Sequence, residues 1–155
     1  MDEDRVKHSL AVARKMVKIA EKYNMSEQDI KNCFVIGINH DIGYEFSRDK
    51  SEHNKIGGKI LKESGFLYWK EIYYHGEINT GYKSLYLKIL NQADMQIDKF
   101  GNDVGYDKRL EDIKIRYGEN SNTYDKCCKL VEKIRWFYSI IKNYFSDLTW
   151  HYVLV

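Results

Sequence analysis

Ile30-Lys31-Asn32-Cys33-Phe34-Val35-Ile36-Gly37-Ile38-Asn39-His40-Asp41 carries an apolar stripe that runs into two polar residues. Ile30, Cys33, Phe34 and Gly37 follow helical spacing, and the stripe continues onto His40 and Asp41. The same pattern recurs on both sides of this stretch. Upstream, a helix over about 4–23 shows Val6, Leu10, Ala13, Val17 and Ala20 on one face, widened by Val12, Met16 and Ile19. His8 lies one turn before Val12, at the edge of that arc, and Arg5 also stays apart from the charged side. Downstream, a helix over about 51–65 begins its stripe with His53 and continues through Ile56, Gly57, Ile60 and Leu61. A short helix over about 68–75 runs from Tyr68 and Ile72 to His75. A fifth, over about 84–99, reads Leu87, Leu90, Asp94, Ile97.

The rest of the chain completes an all-α reading. Ser26 and Asp29 form a capping pair for the helix that ends near His40. Residues 45–50 and 76–81 are polar connections, and 101–105 is a loop. Two further helices are expected over about 107–117 and 121–145. Residues 149–155 are apolar and β-prone and receive no assignment. Alternating strand patterns are otherwise scarce. The expected architecture is a compact bundle of six to seven helices. Residues 1–155 read as one domain, with a core over about 1–100 and C-terminal helices over about 101–155.

Composition narrows the function classes. The chain has 155 residues, enough for one domain with a real core. Its 25 Lys and Arg nearly balance its 23 Asp and Glu, leaving a net charge of +2. That gives no bulk drive toward nucleic acid or an anionic membrane. No apolar run reaches bilayer length, and the charged start Met1-Asp2-Glu3-Asp4-Arg5 has no secretory pattern. Cys33, Cys127 and Cys128 form neither a disulfide framework nor a spaced zinc set, and a reducing cytoplasm is the expected location. Proline is absent, so helices must end at Gly, Asn or Ser.

The informative residues are the polar ones on apolar stripes. One histidine on such a face is ordinarily a hydrogen-bonded core residue, and Asp94 taken alone could pair with Arg5 or a lysine. Five helices that each place a ligand-type residue on the buried stripe are harder to explain that way. A carboxylate buried alone costs several kcal/mol even after relaxation, on the order of the penalties known for unpaired buried ions. Two carboxylates and four imidazoles facing inward call for a shared partner, and metal ions supply one. His151 is left out of this set.

The order His8, His40-Asp41, His53, His75, Asp94 resembles the HD-domain superfamily of metal-dependent phosphohydrolases. The local strings agree: Arg5-Val6-Lys7-His8, Asn39-His40-Asp41-Ile42-Gly43, Glu52-His53, Ile56-Gly57-Gly58-Lys59-Ile60-Leu61, Tyr74-His75 and Ala93-Asp94. The resemblance covers about residues 1–100 and implies an all-helical fold around a central metal site. It implies one ion held by His8, His40, Asp41 and Asp94, and a second held by His53 and His75 with Asp41 bridging. The set is similar to that of bacterial HD hydrolases acting on dinucleoside polyphosphates. Tyr44 stands where the cyclic-di-GMP phosphodiesterase branch usually has lysine. Glu45-Phe46 replaces the Glu-Asp pair of guanosine-polyphosphate hydrolases.

The expected function is hydrolysis of a phosphoester or phosphoanhydride of a nucleotide or other small phosphorylated molecule. One or two divalent transition metals are the implied cofactors, iron or manganese first, with zinc and cobalt as alternatives. Two ions about 3.5–4 Å apart can share a water and activate it for in-line attack on phosphorus. Asp41, His40 and Arg5 are the catalytic candidates. Arg48, Lys50, Lys55 and Asp98 are substrate-binding candidates, the first three through phosphate charge. The aromatic run Trp136, Phe137, Tyr138, Ile140, Ile141, Tyr144 and Phe145 reads as a core or homodimer face, and no nucleic-acid or membrane partner is expected. Two other readings keep the same ligand set: a non-catalytic metal- or nucleotide-binding regulatory module, and an HD-type diiron oxygenase.

Overall fold

The structure is a computed structural model that describes residues 2–48 and 50–151, with side chains at all of these except Lys50, Tyr138 and 140–151. It contains helices α1 (Glu3–Lys22), α2 (Glu27–Asn39), α3 (His53–Glu63), α4 (Trp69–Tyr74), α5 (Leu85–Asp94), α6 (Gly105–Tyr117) and α7 (Asn122–His151). Two 3-10 turns, Ile42–Glu45 and Lys50–Glu52, connect α2 to α3. Among the described residues there is no strand, only an isolated bridge between Ile97 and Asp103. The all-α expectation therefore holds.

Local chemistry starts these helices where it should. The Asp2 carboxylate accepts from the Arg5 amide at 2.8 Å, and Glu3 and Asp4 complement the positive end of α1. Ser26 Oγ accepts from the Asp29 amide at 3.2 Å, the pairing expected from sequence. Between α1 and α2 the chain turns through Asn24 at φ 51°, a conformation that asparagine tolerates.

Packing then fixes the elements around one end of the bundle. Val12, Met16, Ile36, Ile72, Leu90 and Ala93 are fully buried and join α1, α2, α4 and α5. A Cβ added at Gly37 would lie 2.5 Å from Ala13 Cα, so α1 and α2 meet backbone to backbone. A Cβ at Gly43 would lie 1.8 Å from the His53 carbonyl oxygen, so glycine lets the turn after α2 sit directly against the start of α3. A second apolar cluster, Met95, Ile113, Leu130, Val131 and Ile134, packs α6 and α7 against the end of α5.

Three expectations are corrected. The buried arcs of α1 and α2 are rotated: Val6 is 45% and Phe34 38% exposed, whereas His8, Val12, Met16, Cys33, Ile36 and His40 are buried. Overlapping apolar stripes run along both helices, and only contact with a neighbour selects one of them. His8 thereby moves from the edge of its arc to the buried face. Second, α5 stops at Asp94 rather than near 99. The carbonyl of Gln96 accepts from Val104 N at 2.9 Å and Gly105 N at 3.2 Å, and Asp98 N donates to the Asn102 carbonyl at 2.9 Å, which folds this segment into a turn. Third, α7 runs to His151, through the start of the stretch left unassigned; residues 152–155 lie outside the described residues. In the aromatic run, Trp136 is 64% exposed and Phe137 half-buried, while Tyr138, Ile140, Ile141, Tyr144 and Phe145 lie outside the described side chains.

Candidate metal centre

Every helix of the first core delivers a polar residue to one place. His8 comes from α1, and His40 and Asp41 from the residues just after α2. His53 opens α3, His75 follows α4, and Asp94 closes α5. The rings of His8 and His40 lie 5.3 Å apart, those of His40 and His75 5.4 Å, and those of His53 and His75 5.1 Å. His8, His40, Asp41 and His75 are buried, and His53 is half-buried.

Backbone carbonyls orient three of the four imidazoles. His8 Nδ1 donates to the Asp98 carbonyl at 2.8 Å, His40 Nδ1 to that of Gly37 at 2.8 Å, and His75 Nδ1 to that of Ile72 at 2.6 Å. A carbonyl can only accept, so each Nδ1 carries a hydrogen and each Nε2 turns toward the centre. This is the outer-shell arrangement that aims histidine at a metal.

The Nε2 atoms surround two carboxylates. From Asp41 Oδ1, His40 Nε2 lies at 3.4 Å, His53 Nε2 at 3.3 Å and His75 Nε2 at 3.9 Å. His8 Nε2 lies 3.7 Å from Asp41 Oδ2 and 3.1 Å from Asp94 Oδ1, and His40 Nε2 is 3.8 Å from Asp94 Oδ1. Two trios have ligand atoms close enough to hold one ion each: His8, His40 and Asp41, and Asp41, His53 and His75. Asp94 adjoins the first.

The donor set fits divalent ions. His40 Nε2 is fully buried and has no hydrogen-bond partner. Such an orphan is costly unless something fills its coordination. His75 Nε2 lies 3.2 Å from His53 Nε2. Ligand atoms about 2.0–2.2 Å from a shared ion lie at separations of this order.

Electrostatics hold both carboxylates and two of the imidazoles toward their deprotonated forms. Burial opposes charge on Asp41, but His40, His53 and His8 outweigh it and hold its carboxyl well below the usual range. Burial likewise opposes charge on Asp94, yet the hydrogen bond from His8 and the neighbouring His40 and Arg109 hold it low. Burial lowers His40, and it pushes His75 down to about 4, helped by His53 and His40. His8 is shifted up: burial resists its charge, but the bond to Asp94 wins.

A cavity of about 360 Å³ opens over the cluster, walled on the far side by α6 and α7. Arg5 lines it, with Nη1 2.6 Å from Asp41 Oδ2 and the guanidinium 3.7 Å from the Tyr44 ring. Tyr44 in turn stacks on His53 with ring centres 4.1 Å apart. The other candidates are dispersed. Arg48 is exposed and outside the cavity lining, and the Lys50 side chain lies outside those described. Lys55 pairs with Glu77 at 3.1 Å and sits 4.5 Å over the Tyr73 ring. Asp98 meets the site through its carbonyl on His8, while its carboxylate accepts from Phe100 N and Asn102 N at 2.9 and 2.8 Å.

Sequence reasoning missed three supports. Asn54 Nδ2 donates to the His75 carbonyl at 3.0 Å, Asn91 Oδ1 accepts from Gly76 N at 2.9 Å, and Arg109 Nη2 lies 3.9 Å from Asp94 Oδ1. Asn91 is one turn after Leu87, and Arg109 one turn before Ile113, both on apolar stripes. The question that exposed the histidines would have found these two as well.

Residues 5–134 match the HD domain, and the chain belongs to that family. Its members are mostly metal-dependent phosphohydrolases that bind divalent metals. The match extends past the motif-bearing residues, through α6 and into α7. No curated protein and no solved structure matches the chain.

Proposed function

We propose that the chain is a metal-dependent phosphohydrolase. It cleaves a phosphoester or phosphoanhydride of a nucleotide or other small phosphorylated molecule. The observation that carries this reading is the orphaned, fully buried His40 Nε2 among three other imidazoles and two ionised carboxylates. The family match over 5–134 joins both apolar clusters, which supports reading the chain as one domain.

His8, His40, Asp41 and Asp94 would hold one ion, and Asp41, His53 and His75 a second, with Asp41 shared. The bound ions would polarise a phosphoryl oxygen and acidify a water for attack near neutral pH. Iron or manganese suits the mixed imidazole and carboxylate donors. The backbone carbonyls of Gly37, Ile72 and Asp98 keep the ligating nitrogens aimed. Arg5, braced by Tyr44, brings a fixed guanidinium to the cavity where phosphoryl oxygens would collect charge. All six ligand-type side chains are present and meet, which supports turnover over a purely regulatory module.

The test is phosphate release from a panel of nucleotides and small phosphoesters by the metal-loaded protein, with Asp41→Ala alongside. The wild type releases phosphate and the variant does not. Metal-loaded protein inert toward the whole panel would contradict the proposal.

A further inference from the structure

The wall facing the His/Asp cluster comes from the part of the chain that carried no motif. Arg109 and Arg116 of α6 and Lys126 of α7 line the cavity there. Arg109 Nη1 donates to Asp112 Oδ2 at 3.0 Å, and Arg116 Nη2 donates to the same oxygen at 2.7 Å. Asp112 therefore holds the two guanidinium groups side by side, and Arg109 Nη2 also lies 3.9 Å from Asp94 Oδ1. Lys126 is exposed and has no ion-pair partner among the described residues.

Arg109 adds an independent observation. Its side chain is 10% exposed, and its Nε–H is buried without an acceptor. Among the described residues three buried side-chain atoms lack a partner, and two of them, His40 Nε2 and Arg109 Nε, belong to this site. The first is a nitrogen lone pair suited to a cation, the second a donor suited to an anion. Charge balance points the same way. Four carboxylates (Asp41, Glu52, Glu77, Asp94) and four cations (Arg5, Arg109, Arg116, Lys126) line the cavity, and Asp112, bonded to Arg109 and Arg116 from behind the lining, adds a fifth negative charge. Divalent ions on the cluster would tip this balance to a positive excess, which suits an anion carrying several charges.

We infer that Arg109, Arg116 and Lys126 form a second anion subsite, which holds the phosphoryl group next to the one that reacts. The inference rests on the phosphohydrolase reading and narrows it: the substrate carries at least two linked phosphates. One phosphate meets the His/Asp cluster and Arg5. Its neighbour reaches across the cavity to the paired guanidinium groups, whose planar donors match phosphate oxygens.

Isothermal titration of the metal-loaded chain with pyrophosphate and with orthophosphate tests this, since the two anions differ by the second phosphate. Metal content is measured before and after each titration. Arg116→Ala/Lys126→Ala alters side chains at the cavity mouth rather than the buried Arg109. Lys114→Ala/Lys129→Ala removes the same charge from helix surfaces outside the cavity. Pyrophosphate affinity should fall at least fivefold in the cavity variant, with orthophosphate changing less than twofold and the control unchanged for both. Three results would overturn the subsite: pyrophosphate binding the wild type no tighter than orthophosphate, a pyrophosphate loss below fivefold, or an equal loss in the control. Phosphate release by the wild type is measured separately. Its absence would sink the hydrolase reading, while the titrations still decide the subsite.

Discussion

Asp41 is the residue on which the site turns. It is buried, yet four imidazoles and a guanidinium lie within 4 Å of its oxygens. Asp41→Ala should release bound metal and remove turnover while circular dichroism shows the helices intact. A variant that keeps wild-type activity would contradict its role. Asn54 acts one step further out. Its amide holds the His75 carbonyl, and its Oδ1 accepts from Lys55 N at 2.9 Å. Asn54→Ala should weaken metal binding by roughly 10-fold or more, within the range for outer-shell losses. Metal titration followed by dialysis reads this, and unchanged affinity would limit Asn54 to packing. At this scale the sequence was legible because burying a carboxylate or an imidazole is costly. A polar residue on an apolar stripe is a physical signal that needs no neighbour to be seen.

Among elements, the site depends on close helix contacts that glycine allows. A Cβ at Gly58 would lie 2.5–2.9 Å from the Cβ, Cα and N of Tyr73, so α3 and α4 meet there without a side chain between them. Gly58→Ala should destabilise the protein by about 1–3 kcal/mol, the usual cost of overpacking. Thermal unfolding measures it, and a melting temperature at or above wild type would refute the close contact. Helix identity was readable from period and caps, as at Ser26. Which face of α1 and α2 is buried was not, because Val6 and Phe34 extend the apolar pattern as well as Val12 and Ile36 do. The end of α5 was also hidden. It is set by hydrogen bonds from residues 102–105, and periodicity within the helix does not register them.

Over the whole molecule, five helices supply ligand-type residues and two more close the cavity. Arg116 and Lys126 were invisible as site residues because their meaning comes from α6 and α7 folding back over residues far away in sequence, whereas Arg109 stands on an apolar stripe one turn before Ile113. Among the described residues no helix is long and apolar enough to cross a membrane. Ions that join all five core helices should stabilise the fold as a whole, by about 2.7 kcal/mol at a hundredfold excess over Kd. Chelation should therefore lower the melting temperature, and refilling should restore it; a chelator-insensitive transition would argue against a metal shared by those helices. The His151 side chain lies outside those described; the resemblance leaves it out of the ligand set, so His151→Ala should keep phosphate release near wild type, and a large loss would contradict that set.

The proposed chemistry depends on the His/Asp cluster being a two-ion centre. Metal content per chain tests this, by elemental analysis of tag-free protein prepared without oxygen or chelator. A two-ion centre gives about two transition-metal ions per chain, falling to about one in His53→Ala. A single ion in the wild type, unchanged in His53→Ala, would reduce the centre to the four-ligand site of His8, His40, Asp41 and Asp94. No bound metal, even after refilling with iron, manganese, cobalt or zinc, would contradict the claim outright.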